Sequence, residues 1–159
     1  MTAELTGHRL DPGSELSFIL AGNATFTLKS LKTGAHFTYK VIQDFDERWN
    51  GKDLIPKDSW WVKLLTSDDN SNDSSYTYLG MISVNAVGRH RFHRTKATKA
   101  GDDAPSMKAL KWVIDRLENG VGINGVEIWH AGRCGRCGRL LTVPLSVERG
   151  YGPECYQGV

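Results

Sequence analysis

Cysteine is almost missing from this chain: there are three in 159 residues, and none before position 134. A domain of this length can bury a core without disulfides. Long apolar runs are missing too, and nothing approaches the ~18 residues that would cross a bilayer. The opening "MTAELTGHRLDPGSELSF" lacks a basic region followed by an apolar one, so no signal peptide is expected and the cytoplasm is the expected compartment. There, thiols stay reduced, and clustered cysteines bind metal more often than they pair. Without secretion, the glycosylation patterns at Asn23-Ala24-Thr25 and Asn72-Asp73-Ser74 carry no meaning. Internal repeats and low-complexity tracts are absent as well.

Apolar residues make up 40% and charged residues 24%, a globular balance. The net charge of +2 conceals a split: residues 1–85 are net −3, residues 86–139 net +6 and residues 140–159 net −1. The modest middle excess is a hint about partners and no more.

Residues 1–13 are polar and end in "DPG", which reads as a loose arm. Segments of β character follow. "ELSFIL" comes first. "ATFTLKS" and "AHFTYKVIQ" flank "LKTG" and alternate apolar with polar residues, the pattern of a half-buried hairpin. "DFDERWNGKDLIPKD" is an acidic loop, "SWWVKLLT" a strand and "SDDNSNDSS" an exposed loop. "YTYLGMISV" and "RHRFHRT" make a second hairpin around "NAVG". A helix over 104–119 is expected from Pro105 near its start, an Asp103 or Ser106 cap, and Gly120 past its end. Met107, Leu110, Val113, Ile114 and Leu117 form its core stripe. "GVGING" links it to the short strand "VEIWH". The fold class is α+β: an antiparallel β-sheet or small barrel of five or six strands, one packed helix, and a zinc module like a treble clef. The expected division is an arm over 1–13, a β-rich domain over 14–120 and the zinc-binding module over 126–159.

All three cysteines lie in "WHAGRCGRCGRLLTVPLSVERGYGPECYQGV". Cys134 and Cys137 form a C-x-x-C, and the glycine after each suits a knuckle whose amides point at thiolates. Cys155 follows 18 residues later, after Pro153, where a helix N-terminus would favour its thiolate. Knuckle, hairpin and helix is the treble-clef order. Three thiolates leave one tetrahedral position, for which His130 is nearest and His90 and His93 are alternatives. The expected cofactor is a structural zinc ion. A redox C-x-x-C lacks its βαβ setting. Neither a deaminase H-x-E nor an H-E-x-x-H is present, so no catalytic residue is assigned.

This segment resembles that of small phage and prophage proteins of unknown function, which share a "CGRCGR…GPxC" zinc-binding stretch. "FILAGNATFTLKSLKTGAHFTYKV" and "YTYLG" resemble their N-terminal parts. The resemblance implies a phage origin, a bacterial host cytoplasm, and Cys134, Cys137 and Cys155 as ligands with His130 as the fourth.

"GRHRFHRTKATK" gathers Arg89, Arg91, Arg94, Lys96 and Lys99, and the knuckle adds Arg133, Arg136 and Arg139. Such a run suits a phosphate backbone; the plainer reading is a solvated strand facing the acidic loop at Asp44, Asp46 and Glu47. Trp60, Trp61, Tyr76 and Tyr78 could stack bases, although a place in the core is the better expectation. Nucleic-acid binding without catalysis is therefore the leading expectation. The alternative is a module that inhibits or modulates a host enzyme in anti-defence, with acidic loops 44–53 and 68–73 mimicking nucleic acid. A metal-dependent nuclease using His90 and His93 ranks third.

Overall fold

A computed structural model describes residues 8–10, 13–46, 55–66, 76–130 and 134–136. The chain runs β1 (His8–Arg9), α1 (Glu15–Ile19), β2 (Asn23–Ser30), β3 (His36–Asp46), β4 (Ile55–Leu65), β5 (Tyr76–Val84), β6 (His90–His93), α2 (Pro105–Glu118) and β7 (Val126–His130). The strands form one sheet of order β1-β7-β2-β3-β4-β5-β6, with every described pairing antiparallel. The sheet curls into a half-barrel, so α+β with an antiparallel sheet describes the fold.

Period two decides which side chains go inside. Phe26 pairs with Tyr39 on one side and His130 on the other, and Val41 pairs with Val62. Their side chains, with Leu28, Ile82, Phe92 and Ile128, are buried together beneath the Met107, Leu110, Val113 and Ile114 stripe of α2. Tyr39 fastens the layers: its hydroxyl donates to the Ser106 carbonyl at 2.7 Å, and its ring stacks on Phe26 at 5.6 Å. The apolar spacing of α2 is thus satisfied by the sheet. Gly120, at φ 68°, turns the chain out of the helix in the left-handed region that glycine adopts without strain.

Four local expectations change. "ELSFIL" is helical over Glu15–Ile19 rather than extended. A run of six is too short for period two and helical spacing to be told apart, and Phe18 and Ile19 are buried in the core this way. The first residue before α2 is Ala104, with Pro105 opening the helix, so neither Asp103 nor Ser106 caps it. Residues 8–10, within the expected arm, run along β7: His8 pairs with His130, and the Leu10 amide donates to the Ile128 carbonyl at 2.9 Å. β7, which opens the expected zinc module, is a strand of the main sheet between β1 and β2. The expected loop at 68–73, most of the expected loop at 44–53, and the hairpin and helix expected after residue 136 fall outside the described residues.

Candidate metal centre and outer sheet face

β7 ends on His130, whose side chain shares the inner face with Phe26 and is 0% exposed. Its ring lies 5.6 Å from the ring of Phe18 on α1. The chain returns at Cys134, also 0% exposed and part of the same core. The backbone there is fixed to the α1–β2 junction. The Asn23 amide donates to the Gly135 carbonyl at 2.9 Å. A Cβ at Gly135 would stand 2.5 Å from Phe18 Cε2, and one at Gly22 3.3 Å from the Arg136 carbonyl oxygen. Only residues without side chains let these backbones and the Phe18 ring approach so closely. One phenylalanine therefore supports both the histidine and the knuckle turn.

An imidazole and a thiol gathered in a dry place are a fitting pair of zinc donors. Burial in apolar surroundings disfavours a lone thiolate, and a bound cation reverses that. Cys137 and Cys155 lie outside the described residues. Among the described residues no group of three or more histidine, cysteine or acidic side chains stands together. The alternative ligands are engaged elsewhere. His90 Nδ1 donates to Glu118 Oε1 at 2.9 Å, with its ring 5.3 Å from Trp60. His93 bonds Ser83 Oγ through Nε2 at 2.9 Å and the Arg94 carbonyl through Nδ1 at 3.1 Å.

The basic stretch is spread over β6 and its flanks. Arg89 donates to Asn119 Oδ1, Arg91 is exposed on the outer face, and Phe92 is in the core. Arg94, Lys96 and Lys99 are exposed beyond the strand, and Arg136 is exposed on the knuckle. Four strands stand between β6 and β7 in the sheet order. Arg133 and Arg139 lie outside the described residues. Asp44 stands 3.3 Å from Lys57, its neighbour on β4.

The face of the sheet turned away from α2 holds a second grouping. Lys40 pairs with Lys63 across β3 and β4, and Lys63 pairs with Tyr78 across β4 and β5. Trp61 shares this face, 5.9 Å from the Tyr78 ring and 36% exposed. Lys40 Nζ sits 5.1 Å from the centre of the Tyr76 ring. Lys29, Arg91 and His93 extend the basic character to either side, and Glu127 adds a carboxylate on β7. The sequence reading favoured the core for all four aromatics. Trp60 is there, 5% exposed with Nε1 donating to the Leu20 carbonyl at 3.1 Å; Trp61 and Tyr78 face outward. The alternation of Lys40, Lys63 and Trp61 with buried Tyr39, Val62 and Trp60 was the available signal.

A family model described as a family of unknown function (DUF6011) matches residues 130–159, beginning at His130 and containing all three cysteines. No curated protein and no solved structure matches. No helix among the described residues is long and apolar enough to cross a membrane.

Proposed function

We propose that the protein is a phage-derived accessory protein of the bacterial host cytoplasm, that it binds nucleic acid without catalysis, and that its C-terminal segment folds around a structural zinc ion. The observation that carries the nucleic-acid reading is the outer sheet face, where Lys29, Lys40, Lys63 and Arg91 accompany an exposed Trp61. Cations in a row neutralise phosphates and release counterions, and an aromatic ring among them adds a base-stacking surface. Arg94, Lys96, Lys99 and Arg136 supply further exposed charge, with Arg89, Arg133 and Arg139 completing the basic set. The zinc reading is supported by the fully buried His130 and Cys134 at one end of β7. With Cys137 and Cys155 they would hold the ion. Bound there, it would supply the charge that keeps the thiolates ionised and would tie the C-terminal segment to the sheet.

Fluorescence anisotropy of the zinc-loaded protein against labelled single- and double-stranded DNA and RNA, at two salt concentrations, tests the first part. Micromolar binding that weakens with salt is expected; silence at low salt overturns it. Metal analysis tests the second. One zinc per chain is expected, lost in Cys137→Ser, and a variant that keeps stoichiometric zinc removes Cys137 from the ligand set.

A protein partner is the second reading. It is favoured by an apolar cleft of about 230 Å³ between α2 and the β2–β3 hairpin, lined by Leu28, Phe37, Ala109 and a 40% exposed Trp112.

A further inference from the structure

Resting on the nucleic-acid reading above, we infer that the outer face of β3, β4 and β5 is a stacking platform for single-stranded nucleic acid. Trp61 and Tyr78 supply the rings, and Lys40 and Lys63 supply the phosphate contacts.

The platform is built by a bulge. The β4–β5 register shifts between Val62 and Lys63: Val62 pairs with Gly80, and Lys63 pairs with Tyr78. Leu79 is the extra residue, and it is buried in the core. An unbroken period of two would put Tyr78 on the face of Gly80 and Ile82, which is the inner one. With the bulge, Tyr78 shares the outer face with Met81 and Trp61. Bulges commonly re-aim side chains next to functional sites. Here the result is two aromatic rings 5.9 Å apart and tilted by 57°, directly beside a lysine from each of two neighbouring strands.

The lysines point to the charge of the ligand. Lys40 and Lys63 stand directly opposite each other on β3 and β4. Two cations side by side suit successive phosphates of a nucleic-acid backbone.

The rings point to its strandedness. A duplex hides its base faces inside the stack, whereas a single strand can lay them on aromatic side chains. The basic stretch beyond β6 lacks this capacity, because Phe92, the ring within it, is buried against Gly80 in the core. Arg91, on the outer face of β6, extends the phosphate track from the platform toward that edge.

The test uses the full zinc-loaded chain with a labelled oligothymidylate, the corresponding oligouridylate, and a duplex of the same length. Wild type is expected to prefer the single strands. Trp61→Ala should weaken that binding roughly 5- to 140-fold, the loss of one stacked base, with the salt dependence unchanged. Lys40→Ala with Lys63→Ala should lower the slope of log K against log salt by roughly 1.4, about 0.7 per phosphate. If wild type binds single strands and these variants bind as tightly with unaltered slope, the platform is overturned while the nucleic-acid reading stands. Preference for the duplex with Trp61→Ala neutral has the same meaning. Absence of binding to all three probes at low salt overturns both. Ultraviolet cross-linking of the wild-type chain to a thiouridine-bearing strand needs no variant: cross-links at Trp61 or Tyr78 are expected, and cross-links confined to other surfaces overturn the platform.

Discussion

Phe18 connects parts of the chain more than a hundred residues apart: its ring meets the His130 ring at 5.6 Å and fills the space above Gly135. The close approach has a direct consequence. Gly135→Ala puts a methyl 2.5 Å from Phe18 Cε2 and 2.7 Å from Cδ2, so the ring must shift and disturb His130 as well. The expected cost is ~1–3 kcal/mol, the range for overpacking a filled core. Adding Phe18→Leu removes the clash, so the double variant should be more stable than the two single losses summed would allow. Urea unfolding of the four proteins measures this coupling, and strict additivity would show that Phe18 and Gly135 do not press on each other. Phe18 does not stand out in the sequence, and Gly135 does so only as part of the knuckle. The C-x-x-C and its glycines were legible, but "glycine suits a knuckle" concerns the knuckle's own backbone. That Gly135 also makes room for a ring from α1 depends on tertiary placement. The two tryptophans make the same point. Alternation sends Trp60 and Trp61 to opposite faces, but which one points inward depends on the location of the core.

At the scale of elements, the burial of Tyr39 on β3 against the first turn of α2 gives the chain a response to alkaline pH. Burial pushes the Tyr39 phenol well above its ordinary value of 10.0. The folded chain therefore keeps this proton where the unfolded chain releases it. Stability from the neutral phenol is fully present below about pH 10 and is lost as pH rises from there toward the folded value, by ~1.4 kcal/mol per unit. Tyr39→Phe should be less stable at pH 8 by ~1–2 kcal/mol, because the Ser106 carbonyl loses its donor. Above pH 10 the wild type should lose stability faster than the variant, so their urea midpoints converge. Parallel curves from pH 8 to 11 would mean that Tyr39 ionises equally in both states. Elements such as α2 and the β2–β3 hairpin were legible because their periodicity is local and long enough to count. α1 was not, since its five residues fit two periods, and neither was the bulge at Leu79. A bulge is fixed by the facing strand, and period-two reasoning along β5 alone passes over it.

For the whole molecule, the question is whether the C-terminal segment is an appendage. The sequence divides the chain at "GVGING" and makes residues 126–159 a module of their own, whose loss of zinc would leave the β domain folded. The described residues of that segment belong to the sheet and its core. β7 pairs with β2 from Phe26 to Ser30, and Cys134 packs in one core with Phe18, Ile19, Leu28 and Ile128. Pairing between residues about a hundred positions apart leaves no local mark, so the sequence offered candidate ligands and no sign that His130 and Cys134 are anchored in the core of the sheet. The proposed ion would then act on the sheet itself. A ligand that binds only the folded state stabilises it by RT ln(1 + [L]/Kd), about 4 kcal/mol at a thousandfold excess over Kd. Chelating the metal should thus lower the stability of the entire chain in one transition instead of melting a tail. Amide exchange followed with and without chelator separates the two cases. Protection across β2 and β7 is expected to fall together with that of β4 and β5, by the same free energy, as in a single cooperative unit. If protection falls only after residue 136 and β7 keeps its own, the zinc segment is independent of the sheet, and the anchoring of His130 and Cys134 in the core does not couple metal to fold.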